Sequence, residues 1–345
     1  MIGNIAADNR PGGADDAHDT MIVPTLNDIY VARERLAPHM PRTALLRHPL
    51  LDEAAGLSIW VKHENHNPTC AFKVRGGLNL VAAMSPDERS RGIVTASTGN
   101  HGQSIGMASR IHGVACTVFV PLGNNPEKNA AMRAYGAALE EGGRDFDEAR
   151  ERCEERAAAT GARYVHSANE PLLLAGVGTY ALVLFEELPN VDVIFVPIGG
   201  GSGACGLITV RNALGSRAKI IGVSAANADA VYRSWQGPER VVGDRADTLA
   251  EGLATRVTFD LTFGILKRYL DDFVVLTEAE LAEGVRLALR TTHNLAEGAG
   301  AAAIAAAYKC RDDLAGLRVA CIMSGGNIDQ AKLRSILGST AASIT

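Results

Sequence analysis

The sequence predicts an α/β protein built from doubly wound, mostly parallel sheets. Short apolar segments of strand length alternate with helical segments along the whole chain. Several strand segments are apolar almost throughout, which is typical of parallel strands covered on both faces. Because ligands of such sheets bind in the loops that follow the carboxyl ends of the strands, those loops are expected to carry the chemistry.

In the first half of the chain the predicted elements follow one another closely. Residues 57–63 (LSIWVKH) are predicted as a strand, and residues 71–84 as a helix that ends at the turn signal Ser-Pro-Asp. Residues 92–96 form a short strand with β-branched side chains. After it the sequence predicts a helix at 100–111, a strand at 115–121, a helix at 127–135, a strand at 138–141 and a charged amphipathic helix at 145–160.

In the second half the strand signals are stronger, because three segments are almost entirely apolar. They are residues 192–198 (DVIFVPI), 219–224 (KIIGVS) and 318–323 (RVACIM). A final helix is predicted at 330–337. The length of 345 residues suits two domains of about 100–200 residues each.

The composition disfavours several classes of partner. The chain has 34 basic and 39 acidic residues, a net charge of −5, and no Lys/Arg cluster, so nucleic acid is not expected as a partner. No apolar run approaches the roughly 18–20 residues that cross a bilayer, so no membrane is expected either. Residues 1–20 do not form a secretory signal and are predicted as a flexible tail. Six cysteines without a C-x-x-C pair indicate reduced thiols in a cytoplasmic protein.

Two loops in the first half have features of a ligand site. Residues 67–77 (NPTCAFKVRGG) place Lys73 among small and apolar neighbours, where loss of water would lower its pKa and make it a nucleophile or Schiff-base partner. A solvated surface lysine is the alternative. Residues 97–103 (STGNHGQ) follow a strand and open a helix, which favours binding of a carboxylate or phosphate. An ordinary Ser/Thr helix cap is the alternative there.

Two further loops follow strands in the second half. Residues 197–206 (PIGGGSGACG) place successive glycine N–H groups at a helix start, which suits a phosphate. The same loop contains G-x-G-x-x-G from residue 201 to 206, so a nicotinamide-dependent oxidoreductase is an alternative, although the next strand does not end in an acidic residue. In residues 323–327 (MSGGN), the side chain of Ser324 could reach a bound ring. The alternative is that the segment is only a turn into the final helix.

In combination the four loops are more specific than any one of them. Lysine, Ser-Thr-Gly-Asn-His, the glycine turn and Ser-Gly-Gly-Asn follow in an order that resembles the pyridoxal-phosphate (PLP) enzymes of the threonine/serine dehydratase and serine racemase family, which have fold type II and are related to the tryptophan synthase β chain. The resemblance covers about residues 30–337. It implies PLP as the cofactor and a two-domain fold, with a flexible tail at 1–20, a large PLP-binding domain at 21–86 and 167–345, and a small mobile domain at 87–166.

The resemblance also implies a role for each matching residue. Lys73 would hold the cofactor as a Schiff base and later move the Cα proton, while Phe72 flanks the ring. Asn100 would bond the hydroxyl of the pyridine ring, and Ser324 would face the ring nitrogen. The phosphate would lie on Gly199, Gly200, Gly201, Ser202 and Gly203, and the substrate on Ser97, Thr98, Asn100 and His101.

Some positions bear on the choice of reaction. A neutral Ser324 would not keep the ring nitrogen protonated, which favours elimination over transamination. Thr98 stands where serine racemases carry a hydroxyl that acts as a second base, so it is a catalytic candidate, with a packing role as the alternative. Cys70 and Ala71 replace the Gly-Ser common in the family, which leaves the preferred substrate open. Glu297 matches a family position near the ring, or else is an acid at a helix start.

The resemblance further implies a cation site. Asp247, Glu251 and the carbonyl of Ala250 match positions where some relatives hold a divalent cation, and their oxygen atoms suit Mg²⁺ or Ca²⁺, with a monovalent cation as a further candidate. Surface carboxylates without a metal are the alternative.

The expected activity is loss of water from a β-hydroxy amino acid such as L-threonine or L-serine, which gives a 2-oxo acid and ammonia in a catabolic role. Within the family, the alternatives are an amino-acid racemase and a 3-hydroxyaspartate dehydratase. Outside it, the alternatives are the oxidoreductase and a binding protein without catalysis. The resemblance implies a homodimer whose small domain closes over the substrate.

Overall fold

A computed structural model describes residues 22–339, so the tail predicted at 1–20 lies outside the described residues. Within them the chain forms two sheets, and helices separate nearly all of the strands. This is the mixed α/β architecture with mostly parallel strands that the sequence predicts. No helix among residues 22–339 has the length and apolar character to cross a membrane.

The larger sheet has six strands, in the order β1-β2-β10-β7-β8-β9. Every neighbouring pair is parallel except β1 and β2. The pairing of β2 with both β1 and β10 joins the beginning and the end of the described chain in one sheet. The strands are β1 Leu45–Arg47, β2 Ser58–His63, β7 Val193–Pro197, β8 Lys219–Ala225, β9 Asp272–Leu276 and β10 Arg318–Met323.

This strand order brings three of the predicted loops together. Cys321 of β10 pairs with Val61 of β2 on one side and with Phe195 of β7 on the other. The loops that leave the carboxyl ends of these three parallel strands therefore meet at one edge of the sheet. They are the loop before Lys73, the glycine turn and the loop that begins with Ser324.

The smaller sheet has four parallel strands in the order β5-β4-β3-β6. Its strands are β3 Ile93–Ala96, β4 Cys116–Val120, β5 Ala138–Glu141 and β6 Arg163–Tyr164. All four lie inside the range 87–166 that the sequence assigns to the small domain. That this part moves as a separate domain stays a prediction.

Fourteen α-helices are formed by the described residues, and most begin with a side-chain or proline signal. Asp145, for example, accepts a hydrogen bond from the backbone N–H of Glu148 and starts the amphipathic helix predicted at 145–160. The helices are α1 Leu26–Leu36, α2 Pro49–Ala55, α3 Lys73–Ala83, α4 Pro86–Arg91, α5 Asn100–His112, α6 Pro126–Ala134, α7 Phe146–Thr160, α8 Pro171–Glu187, α9 Ser202–Ala213, α10 Ala230–Gln236, α11 Asp260–Tyr269, α12 Glu278–Thr292, α13 Gly298–Lys309 and α14 Gln330–Gly338.

The core of the larger sheet lies on both of its faces. Val193 and Phe195 of β7 belong to a cluster that includes α12 and α13, whereas Ile194 and Val196 of the same strand belong to a cluster that includes α8 and α9. Because side chains of a strand point to alternate faces, apolar residues at every position require helices on both sides. The nearly continuous apolar strands thus account for the doubly wound architecture.

Candidate active site

Lys73 is the first residue of α3, and its amine points towards the start of α9. The amine donates hydrogen bonds to the hydroxyl of Ser202, at 3.0 Å, and to the carbonyl oxygen of Ser167, at 3.1 Å. It lies 5.3 Å from the centre of the Phe72 ring. Burial lowers the pKa of Lys73 to about 8, since the surrounding protein replaces the water that would stabilise its charge. A lowered pKa favours a nucleophilic amine, and that role of Lys73 stays a prediction.

The glycine turn after β7 lies directly beside this amine. Gly201 adopts a left-handed conformation, with φ of 89°, just before α9 begins at Ser202. At Gly199 a Cβ atom would collide with the carbonyl oxygen of Gly252. Glycine is required at both positions, since other side chains would strain or displace the backbone. The turn leads into the N-terminus of a 12-residue helix, an arrangement that suits a phosphate.

The loop after β3 is held by one of its own side chains. The Ser97 hydroxyl oxygen accepts hydrogen bonds from the N–H groups of Gly99, at 3.1 Å, and Gly102, at 2.9 Å. The carbonyl oxygen of Thr98 accepts a hydrogen bond from the side-chain amide of Asn124. We call residues 97–102 the anion loop, because it ends in the first turn of α5, where free helix N–H groups suit an anion.

The structure places the ring of His101 against the smaller sheet, apart from the other predicted site residues. Its Nε2 atom lies 3.0 Å from the hydroxyl oxygen of Thr95 and 3.5 Å from the carbonyl oxygen of Val165, both on the side of the smaller sheet. The side chain is buried, and burial lowers the pKa of His101 to about 3. A neutral His101 thus supports the anion loop from behind, instead of contacting the substrate as the resemblance implies.

Asn100 links the anion loop to the larger sheet. Its side-chain amide donates a hydrogen bond of 2.8 Å to the carboxyl group of Glu297, and its oxygen accepts one of 2.7 Å from Asn327. Burial raises the pKa of Glu297, although Lys128 and Asn100 oppose that shift. Asn100 is therefore oriented from both sides.

Ser324 directly follows β10, so the position predicted to face the ring nitrogen carries a neutral hydroxyl and not a carboxylate. Its carbonyl oxygen accepts a hydrogen bond of 3.0 Å from the N–H of Phe72, and its hydroxyl donates one of 3.4 Å to the carbonyl oxygen of Ala299. The neighbouring residue Gly325 pairs with Ala71 in an isolated bridge. These contacts tie the loop that carries Ser324 to the loop that carries Lys73.

Two of the groups proposed to bind a cation, the Glu251 carboxylate and the Ala250 carbonyl, already have partners within the chain. The carboxylate of Glu251 forms ion pairs with the amines of Lys128 and Lys332. The carbonyl oxygen of Ala250 accepts a hydrogen bond from the N–H of Leu253. Among residues 22–339 no group of three or more His, Cys, Asp or Glu side chains is arranged to hold a metal ion. A cation at Asp247 and Glu251 would have to displace the two lysines, and the site remains a prediction that this geometry does not favour.

Sequence reasoning missed three features of the site. Arg75 forms a buried ion pair with Glu64, with Nε 2.6 Å from the carboxylate, directly behind the Lys73 loop. Nδ1 of His166 accepts hydrogen bonds from the backbone N–H groups of Ala168 and Asn169, and burial lowers the pKa of His166 to about 4. Lys128 lies against the anion loop. Arg75 lies two residues after Lys73 in the sequence FKVRG, which was a signal for the ion pair. His166 and Lys128 had no local signal.

Known proteins share both the sequence and the architecture of this chain. Residues 36–325 match the family described as "Pyridoxal-phosphate dependent enzyme". An L-threonine ammonia-lyase from Thermotoga maritima is 39% identical over 88% of this chain and 76% of its own length. A beta-hydroxyaspartate dehydratase from Paracoccus denitrificans is 31% identical over 91% of this chain and 99% of its own length. The structure of maize serine racemase superposes with a TM-score of 0.86, at 25% identity, over 92% of this chain and 97% of that one. The chain therefore belongs to the family of pyridoxal-phosphate dependent enzymes, as the four loops predict.

Proposed function

We propose that this protein is a PLP-dependent ammonia-lyase that removes water from a β-hydroxy amino acid, such as L-threonine or L-serine, and releases a 2-oxo acid and ammonia. The observation that carries the proposal is the desolvated amine of Lys73, 3.0 Å from Ser202 at the end of the glycine turn. The identity of 39% to an L-threonine ammonia-lyase supports the reaction class.

The residues of the site fit the cofactor. PLP needs an amine that can lose its proton, a cradle of N–H groups for the phosphate, and groups along the ring edge. Lys73 supplies the amine, and a glycine turn that tolerates no side chain at residue 199 supplies the cradle, together with Ser202 and Gly203. Asn100 and Ser324 would lie along the ring edge. When bound, PLP withdraws electrons from the substrate Cα, so that its proton becomes removable.

The chain's own residues would then divide the remaining tasks. The anion loop would bind the substrate carboxylate with its N–H groups and thereby orient the bond to the Cα proton. Lys73 would take that proton, because a pKa of about 8 leaves a useful unprotonated fraction near neutral pH. The β-hydroxyl would leave as water when Lys73 returns to it the proton taken from Cα, and water would then hydrolyse the enamine product to the 2-oxo acid and ammonia. Ser324, which is neutral, would not hold a charge on the ring nitrogen.

Racemisation is the second candidate reaction, and Thr98 is the residue on which it depends. Thr98 is half-buried in the anion loop, and its backbone carbonyl is held by Asn124. A β-branched side chain is restricted at χ1, which favours a packing role over proton transfer. Chiral analysis of serine recovered after incubation with L-serine would detect a racemase, since a pure lyase leaves only the L-isomer.

The central test removes the amine of Lys73. We expect wild-type protein to show a visible absorbance band from bound PLP and to release 2-oxo acid from L-threonine or L-serine. K73A should lose the covalent adduct and lower the rate of release by at least about 100-fold, because the proton-transfer group is gone. K267A, which removes an exposed lysine that contacts only backbone carbonyls, is the control. A covalent adduct that persists in K73A would refute the assignment.

We also propose a homodimer in the cytoplasm that acts on a small amino acid, with nucleic acid and membranes excluded as partners. The support for the location is that all six cysteines are free thiols and five of them are buried. The support for the dimer is the family resemblance, and the mass in solution tests it.

A further inference from the structure

Tyr180 carries a buried hydroxyl that the proposed reaction does not use. The residue lies in α8, is completely buried, and its ring stands edge-on to that of Phe72, with 6.4 Å between the ring centres. Its hydroxyl donates a hydrogen bond of 2.8 Å to the carbonyl oxygen of Gly203, in the first turn of α9. Burial raises the pKa of Tyr180, so the phenol keeps its proton and remains a donor. Because a buried hydroxyl is costly without a partner, this bond accounts for a tyrosine where phenylalanine would fill the same space.

A second buried hydroxyl holds the same glycine turn from another helix. Thr262 belongs to α11, and only 1% of the residue is exposed. Its hydroxyl oxygen lies 2.7 Å from the carbonyl oxygen of Gly200 and 3.4 Å from that of Phe259, so the shorter contact, to Gly200, takes the proton. The Cβ atom of Thr262 also lies 3.1 Å from the position that a Cβ atom of Gly201 would take. Hydroxyl groups of α8 and α11 therefore hold the turn at two of its carbonyl oxygens.

Each of these carbonyl groups shares a peptide unit with an N–H group that points the opposite way. In a planar trans peptide the C=O and N–H bonds are antiparallel, so the bond to Gly203 fixes the direction of the Ala204 N–H. The bond to Gly200 does the same for the N–H of Gly201. A hydrogen bond to the carbonyl oxygen also polarises the peptide and strengthens its N–H as a donor. Since the bond that closes the first turn of α9 is donated by Cys205 to Gly201, the N–H of Ala204 has no acceptor in its own helix.

We propose that Tyr180 and Thr262 are positioning residues for the phosphate of PLP. Their hydroxyls aim and strengthen the N–H groups of Ala204 and Gly201, which donate to the phosphate oxygens. A doubly charged phosphate gains from such donors at a helix start. Neither hydroxyl needs to touch the cofactor, because each acts from the carbonyl side of a peptide. This inference rests on the proposed function and adds Ala204 to the phosphate cradle.

The first test separates the phosphate from the rest of the cofactor. Pyridoxal can form the same bond with Lys73 but has no phosphate, so the ratio of its Kd to that of PLP measures what the cradle contributes. The full chain, after removal of bound cofactor, is titrated with each compound while the visible absorbance is followed. We expect Y180F and T262V each to raise the Kd for PLP by roughly 5- to 10-fold, the size of one hydrogen bond. The Kd for pyridoxal should change by less than about twofold.

Two further variants serve as controls. T209V removes a hydroxyl that donates to the carbonyl oxygen of Cys205, at 2.9 Å, further along the same helix. It should leave both dissociation constants within about twofold of the wild-type values. T262S keeps the hydroxyl and should retain the preference for PLP that T262V loses. Equal weakening of PLP and pyridoxal in Y180F and T262V would mean that the hydroxyls support only the fold, and would overturn the proposal.

The second test follows the phosphate itself in the holoenzyme. A phosphate monoester has its second pKa at about 6, and strong N–H donors favour the doubly charged form. The phosphorus NMR signal of bound PLP should therefore titrate in wild-type protein at a pH at least about 0.5 lower than in Y180F. Identical titration curves would refute the role of Tyr180.

The outcomes also separate this inference from the proposed function. If the wild-type protein binds PLP and is active on L-threonine, but Y180F and T262V keep its full preference for PLP over pyridoxal, only this inference fails. If the wild-type protein forms no PLP adduct, the proposed function fails with it.

Discussion

The loop that carries Lys73 and the anion loop are supported in opposite ways. Behind the loop of Lys73, on the larger sheet, lies a buried ion pair between Arg75 and Glu64, with further hydrogen bonds from Arg75 to Thr43 and Thr179. Behind the anion loop, on the smaller sheet, lies His101, a neutral ring against a threonine hydroxyl. Charge supports the first loop, and neutral hydrogen bonds support the second.

This difference suits the tasks proposed for the two loops. A buried ion pair keeps the Lys73 loop in one position, which suits a loop that binds its cofactor covalently. The anion loop is proposed to bind a substrate carboxylate through its N–H groups, so a buried acid behind it would repel that ligand, whereas the neutral His101 adds no charge. With His101 neutral, the cations near that loop are Lys73 on one side and Lys128 on the other.

The largest expected effect comes from breaking the ion pair. R75M leaves the carboxylate of Glu64 buried without its cation, so the free energy of unfolding should fall by about 4 kcal/mol. Urea denaturation measures the change. The double variant with E64M should recover part of the loss, because it removes the orphaned charge as well.

R47M is the matched control for this prediction. Arg47 pairs with Asp52, and because the arginine side chain is 46% exposed to water this pair contributes only about 1 kcal/mol. A loss in R75M no larger than that in R47M would mean that charge does not hold the Lys73 loop, and the contrast between the two loops would disappear.

A smaller effect is expected from the pH dependence that His101 confers. Its pKa is about 3 in the folded protein, against 6.5 for an exposed ring, so the unfolded chain binds more protons between these values. The free energy of unfolding should therefore decrease as the pH falls through that window, by about 2 kcal/mol between pH 6.5 and pH 5 from this residue alone. H101Q should flatten that part of the profile.

The control here is K267A, which leaves every histidine in place and should retain the slope of the wild-type protein between pH 6.5 and pH 5. If H101Q and the wild-type protein lose stability in parallel, then His101 is protonated in the folded state and the anion loop does carry a charge behind it.

The sequence was most informative where one signal dominates. Four strands of the larger sheet, β2, β7, β8 and β10, were predicted to within one residue at each end, because their apolar side chains pack on both faces, whereas β1 and β9 were not predicted. The helix predicted from residue 71 begins at Lys73 instead, since Cys70 has a positive φ and Ala71 pairs with Gly325. Those contacts come from the far end of the chain, so no local pattern could predict them.

The candidate site shows the same limit. Asn100 and His101 are adjacent in the motif, yet consecutive residues of a helix point in different directions, so only Asn100 faces the cleft. Lys128 resembles any lysine in the first turn of a polar helix. Its position became evident only when α6 was seen to pack beside Gly99.

The smallest effect concerns Ser97, and it tests whether the anion loop serves the substrate. In S97A two backbone N–H groups lose their shared acceptor, which should cost about 1 kcal/mol of unfolding free energy, as for other helix caps. S90A, whose exposed hydroxyl donates only to the carbonyl of Asp87, is the matched control. Because Ser97 bonds the backbone of its own loop, while Asn100 is held by Glu297 and Asn327, S97A should raise KM for the amino acid and leave the affinity for PLP within about twofold, a change of less than about 0.5 kcal/mol. Weaker binding of PLP with an unchanged KM would instead assign the loop to the cofactor, and the division of the cleft into a charged and a neutral half would lose its functional meaning.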